Sequence, residues 1–106
     1  MYDSTGPLKF ANVDESAAAS TAIIAAVTGK KIRILGLVLV AAGAVDVTIE
    51  DEDGGNLIGL MSLAANGSVV LPVSGVGYQE TPAGKALHLL LGGAVQVGGS
   101  IDYQEI

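Results

Sequence analysis

His88 is the only histidine of the chain and sits in Ala86-Leu87-His88-Leu89-Leu90-Leu91. In an extended strand it lies on the face opposite Leu87, Leu89 and Leu91. An imidazole that titrates near neutral pH suits general-base or metal-ligand chemistry. A base, however, needs a nucleophile and an orienting partner, and a zinc site in a chain without cysteine needs other ligands. The expectation is a structural or interface histidine. The run Glu50-Asp51-Glu52-Asp53 before Gly54 clusters the oxygen ligands that hard cations take. An EF-hand loop would place an acid about six residues after its glycine, where this chain has Leu60. A solvated hairpin tip is the expectation there. Asn66-Gly67-Ser68 has the form of a glycosylation acceptor, but Asn-Gly is also the dipeptide of two-residue turns, and the turn accounts for it. The glycine pairs at 92–93 and 98–99 lack the strand and helix that flank a phosphate-binding loop. No catalytic set, metal site or cofactor site emerges, and the chain is expected not to be an enzyme.

Composition narrows the remaining classes. The 106 residues suffice for one domain. Half are hydrophobic and only 15% charged, against a typical charged share of about 25%, so a packed core is expected rather than disorder. A domain of this size buries only about 60 to 70% of its unfolded surface, which leaves apolar area for contact with other copies. The net charge of −6 and the five basic residues oppose nucleic-acid binding, which requires broad phosphate neutralisation. The longest nearly uncharged stretch, Ile34 to Val45, falls short of the roughly 20 residues that span a bilayer. The opening residues lack a basic region followed by an apolar core, so no secretion signal is read there.

The elements that position these residues read as strands. Turn signals at Gly6-Pro7, Thr28-Gly29, Gly43, Gly54-Gly55, Asn66-Gly67, Gly75 to Gly77, Pro82 to Gly84, Gly92-Gly93 and Gly98-Gly99 recur at strand-length intervals. Ala44 to Glu50 alternates cleanly, with Val45, Val47 and Ile49 on a core face and Asp46, Thr48 and Glu50 on a wet face. The acidic tip and Asn66-Gly67 predict two successive hairpins, and Thr28-Gly29-Lys30 a third between strands at 20–28 and 31–40. Ile34 to Ala42, Leu57 to Leu63 and Leu87 to Leu91 are apolar on both faces of an extended strand. Outer faces of sandwiches are normally polar, so Ile34, Leu35, Leu37, Val38, Leu39, Leu87, Leu89 and Leu91 are expected at an oligomer interface. Residues 1 to about 10 are expected to form an extended arm on a single domain spanning 1–106.

The run from Lys31 to Thr48, the segment Leu63-Ala64-Ala65-Asn66-Gly67 with Val70-Leu71-Pro72, the stretch Thr81 to Leu89, and Val97-Gly98-Gly99 with Tyr103 carry a likeness. Across about residues 30 to 103 the chain resembles the small capsid decoration, or cement, proteins of tailed bacteriophages. That resemblance implies an all-β, jelly-roll-like antiparallel β-sandwich assembled as a trimer. It implies a place on the capsid surface of a virion after synthesis in the host cytoplasm, and the major capsid protein as partner. Met1, Tyr2, Leu8 and Phe10 would then be the arm that contacts the shell. No catalytic residues come with the resemblance, and neither nucleic acid nor membrane is an expected partner. The runner-up is a trimeric tail, fibre or baseplate-associated module that binds a host glycan or protein. The scarcity of aromatic and Arg side chains counts against it, since those types dominate binding hot spots. A third class is a small-ligand enzyme or binding barrel built on His88 and the acidic tip.

Overall fold

A computed structural model describes residues 7–106. The described residues form nine strands: β1 (Lys9–Glu15), β2 (Ser20–Ile24), β3 (Ile32–Ala41), β4 (Val45–Asp51), β5 (Asn56–Leu63), β6 (Ser68–Leu71), β7 (Gln79–Glu80), β8 (Leu87–Leu91) and β9 (Val97–Glu105). They make two antiparallel sheets packed as a β-sandwich, as expected for the fold class. The first sheet runs β1-β9-β3-β6, with the two-residue β7 also paired to β3; the second runs β2-β8-β4-β5. Most connections therefore pass from one sheet to the other. Only Asp51 to Asn56 links two paired neighbours, β4 and β5, directly by a tight turn.

The core lies between the sheets and is wholly aliphatic. Ile32, Ile34, Leu37, Leu39, Val97 and Ile101 come from the first sheet, and Val47, Ile49, Leu87, Leu89 and Leu91 from the second. Fully burying such side chains contributes about 1.5–3 kcal/mol each. Thr81 closes one end: its hydroxyl accepts the buried Ile32 N–H at 2.9 Å, so the first backbone donor of β3 is satisfied inside the fold.

β3 explains why its sequence looks apolar on both sides. Ile34 pairs with Tyr103 and Gly36 with Asp102, which leaves Leu35 as the extra residue of a β-bulge. The bulge shifts the alternation by one position. Ile32 and Ile34 point inward before it, and Leu37, Leu39 and Ala41 after it. The run is thus largely one-sided, with a change of phase. Val38 and Val40 are left outside, 40% and 46% exposed.

Four sequence expectations change here. Ile34, Leu35, Leu37, Leu39, Leu87, Leu89 and Leu91 are buried inside the single chain, none more than 5% exposed, so they are core residues and not an interface. Of the proposed interface set, Val38 alone faces out. The turns at Thr28-Gly29-Lys30 and Asn66-Gly67 do not close hairpins, because β2 and β5 belong to the second sheet while β3 and β6 belong to the first. Asn66 does hold the turn conformation, with φ of 61°. Lys9 and Phe10 belong to β1, paired with Tyr103 and Asp102, so the arm cannot extend to residue 10. Gly98-Gly99 is not a turn; both glycines lie within β9.

Candidate functional site

The outer face of the second sheet gathers the chain's potentially reactive groups. Glu50 on β4 pairs directly with His88 on β8, and Ser20 on the edge strand β2 pairs with Leu90, two residues along β8 from His88 on the same face. Ser20 Oγ lies 2.6 Å from Glu50 Oε2 and 2.9 Å from His88 Nδ1. The serine has one proton to donate, and it is directed to Glu50 Oε2. The hydroxyl therefore donates to Glu50 and accepts from His88 Nδ1–H. Side chains from three adjacent strands are tied into one chain of hydrogen bonds.

That order of groups decides the chemistry. In a serine-histidine-acid triad the imidazole stands between hydroxyl and carboxylate and takes the hydroxyl proton. Here the hydroxyl stands between the other two, and the imidazole nitrogen facing it carries a proton of its own. In this arrangement Ser20 directs its proton to Glu50 and not to His88. The network instead satisfies a buried carboxylate: Glu50 is only 7% exposed. This corrects the wet face expected of β4, where Thr48 is buried as well and Asp46 alone of the three is exposed. Ser20→Ala should remove the hydroxyl that donates to Glu50 and lower unfolding stability by about 1 kcal/mol, since Ser20 is itself exposed and charged hydrogen bonds contribute roughly 1.5–3 when sheltered. Urea titration of the two proteins measures it.

The acidic tip is occupied by the protein itself. Asp51 Oδ1 accepts the Asp53 and Gly55 N–H groups at 2.8 and 3.1 Å, and Glu52 Oε1 accepts Ala86 N–H at 2.7 Å. Asp53 pairs with Lys85 at 3.0 Å. The hydrogen bond and charge of Asp53 hold the Lys85 ammonium above its ordinary value. That pairing is present at neutral pH and fades as the pH rises through the raised lysine value. No group of three or more His, Asp or Glu side chains able to hold a metal ion occurs among the described residues.

Apolar surface, in contrast, is bare at one corner of the sandwich. Val38 on β3 and Val70 on β6 are cross-strand partners on the outer face of the first sheet, and Val70 is 59% exposed. Val40 continues the patch. Around the β6 edge, an open groove of about 360 Å³ is lined by Leu57, Ile58, Gly59, Leu71, Tyr78 and Gln79. Val73 and Val76, in the segment between β6 and β7, are 61% and 76% exposed. Phe10 stands at the opposite edge of the first sheet, 70% exposed, and Leu8 is exposed beside it. Met1 and Tyr2 lie outside the described residues.

Sequence reasoning placed His88 on an outward face but missed its partners. Alternation puts Glu50 and His88 outward separately; only strand pairing brings them together with Ser20. Val70, Val76 and Tyr78 were missed for a different reason, as isolated apolar residues in short segments carry no periodic signal. Comparison with protein-family models, with curated proteins and with solved structures found no match to this chain.

Proposed function

We propose that the protein is a non-catalytic structural component of a tailed-phage virion, a jelly-roll decoration protein that assembles as a homotrimer and binds the major capsid protein on the head surface. The observation that carries this reading is uncharged apolar surface left outside a complete aliphatic core, at Val38, Val40, Val70 and Val76. Such surface suits assembly. The strand orders β1-β9-β3-β6 and β2-β8-β4-β5 support the jelly-roll reading, an architecture of two four-stranded sheets recurrent among capsid domains. The self-contained Ser20–Glu50–His88 network supports a role without catalysis. A trimer seated across neighbouring capsid subunits would tie them together, and mass action would favour the assembled shell because only that state offers the whole binding surface.

The solution mass across a dilution series, read by light scattering, and co-sedimentation with empty phage heads test the reading together. Three chains per particle and saturable binding to heads are expected. A monomer at every concentration, or binding confined to tail fractions, would overturn it. The second outcome would turn the assignment to a tail or fibre module.

A further inference from the structure

We infer that Asn66-Gly67 is a site of spontaneous covalent modification that the fold holds closed: while its turn is docked the pair persists, and once the turn opens Asn66 converts to isoaspartate, which prevents the turn from docking again. Asparagine is among the thermolabile residues, and it reacts most readily before glycine, where no side chain hinders the next backbone nitrogen. The chain has three asparagines, of which Asn12 and Asn56 precede Val13 and Leu57. Asn66 alone precedes a glycine.

The fold itself imposes this dipeptide. Asn66 has φ of 61°, in the left-handed region that asparagine tolerates better than most residues with a side chain. A Cβ on Gly67 would stand 2.8 Å from the Ala64 carbonyl oxygen and 3.0 Å from the Ala64 nitrogen, both backbone atoms, so no larger residue fits there. The Asn66 side chain is exposed to water.

In the reaction the Gly67 nitrogen loses its proton and attacks the side-chain carbonyl carbon of Asn66. A C–N bond forms, the amide C–N bond breaks, and ammonia leaves a succinimide ring. Water then opens the ring at one carbonyl or the other and yields aspartate or isoaspartate. Three hydrogen bonds of the docked turn oppose the first step. Gly67 N–H donates to the Ala64 carbonyl at 2.8 Å, Asn66 N–H donates to the Ala41 carbonyl at 2.8 Å, and the Gly67 carbonyl accepts Ala41 N–H at 2.9 Å. The attacking nitrogen keeps its proton engaged, and the peptide between the two residues is fixed on both sides. Release needs only local opening, because the turn leads into β6, an edge strand of four residues that pairs with β3 alone among the described strands. Isoaspartate then routes the main chain through Cβ, which lengthens it between the two groups that bond Ala41. Both bonds cannot be restored, and the β6 ladder loses its anchor beside the Val40–Ser68 pair.

The folded protein and the same protein in guanidinium chloride are held side by side at one mildly alkaline pH and temperature, and peptide mapping by mass spectrometry locates amide-to-acid conversion. Conversion at Asn66 is expected roughly tenfold or more faster in the unfolded chain, with Asn12 and Asn56 unchanged over the same interval. Equal rates, or prior conversion of Asn12 or Asn56, would overturn the inference. The isoaspartyl chain is then purified, refolded and compared with freshly prepared Asn66→Asp, which adds the charge without lengthening the backbone. A lower unfolding midpoint and faster amide exchange across residues 68–71 are expected for the isoaspartyl chain alone. Failure of the isoaspartyl chain to refold while Asn66→Asp folds supports the same conclusion. An isoaspartyl chain that regains the parent's midpoint and exchange would refute the claim that the turn cannot dock again.

Discussion

Gly99→Ala should cost more than about 4 kcal/mol of stability, a loss reserved for substitutions that force the backbone apart. Gly99 lies within β9 opposite Leu39 of β3, with φ of 157°. A Cβ built there falls 1.8 Å from the Val38 carbonyl oxygen and 2.7 Å from its carbon. Neither is the tip of a flexible side chain. Both belong to the backbone of the central ladder, so relief requires β3 and β9 to separate. The neighbouring Gly98 provides the control, because its Cβ would meet only the Val13 oxygen at 3.8 Å, an ordinary contact. Gly98→Ala should stay within about 1 kcal/mol of the parent, the range of glycine effects inside strands. Urea unfolding of both variants decides the matter, and equal midpoints would refute the argument. Should Gly99→Ala not accumulate as folded protein while Gly98→Ala does, the contrast is made equally well.

The second large effect separates core from surface along a single strand. Leu39→Ala should destabilise by about 2–5 kcal/mol, since Leu39 is fully buried and its loss opens a cavity between the sheets. Val38→Ala, one residue earlier and 40% exposed, should change monomer stability by less than about 1 kcal/mol. Thermal unfolding at high dilution measures both. Comparable losses would mean that the β3 bulge has been assigned the wrong phase.

How far the sequence could be read follows from these same residues. β4 and β8 were legible as strands because Val45, Val47 and Ile49, and Leu87, Leu89 and Leu91, recur at period two, but their surroundings were not, since Thr48 and Glu50 are buried as well and the β8 leucines expected at an interface lie in the core. β3 was legible as a strand but not in its facing, because a bulge at Leu35 changes phase and mimics a strand apolar on both sides. β9 was hidden by its glycines. Gly98-Gly99 has the composition of a turn, yet there glycine serves the close passage of β3, a relation between segments about sixty residues apart. Ser20, Glu50 and His88 show the same limit at the polar cluster. Each residue type was visible, but the neighbour relation is set by strand order across β2, β8 and β4. Turn chemistry at Asn66-Gly67 was read correctly as a turn, whereas which sheet each arm of the turn enters is a global property of the sandwich.

The strand order of the first sheet also governs how the chain reaches this state. β1 forms its ladder with β9, with Lys9 opposite Tyr103, so its backbone partners lie almost a whole chain away. β3 likewise depends on β9 for its longest pairing. Loop-closure entropy must be met before either contact returns any energy. The one local pairing closed by a tight turn, β4 with β5, belongs to the second sheet. Folding of this topology belongs to the millisecond-to-second regime of sandwiches dominated by distant contacts. While β9 is undocked, β3 presents Leu37 and Leu39 beside unpaired backbone, and that interval, more than the finished surface, is when the chain is most open to adding a strand from the wrong molecule.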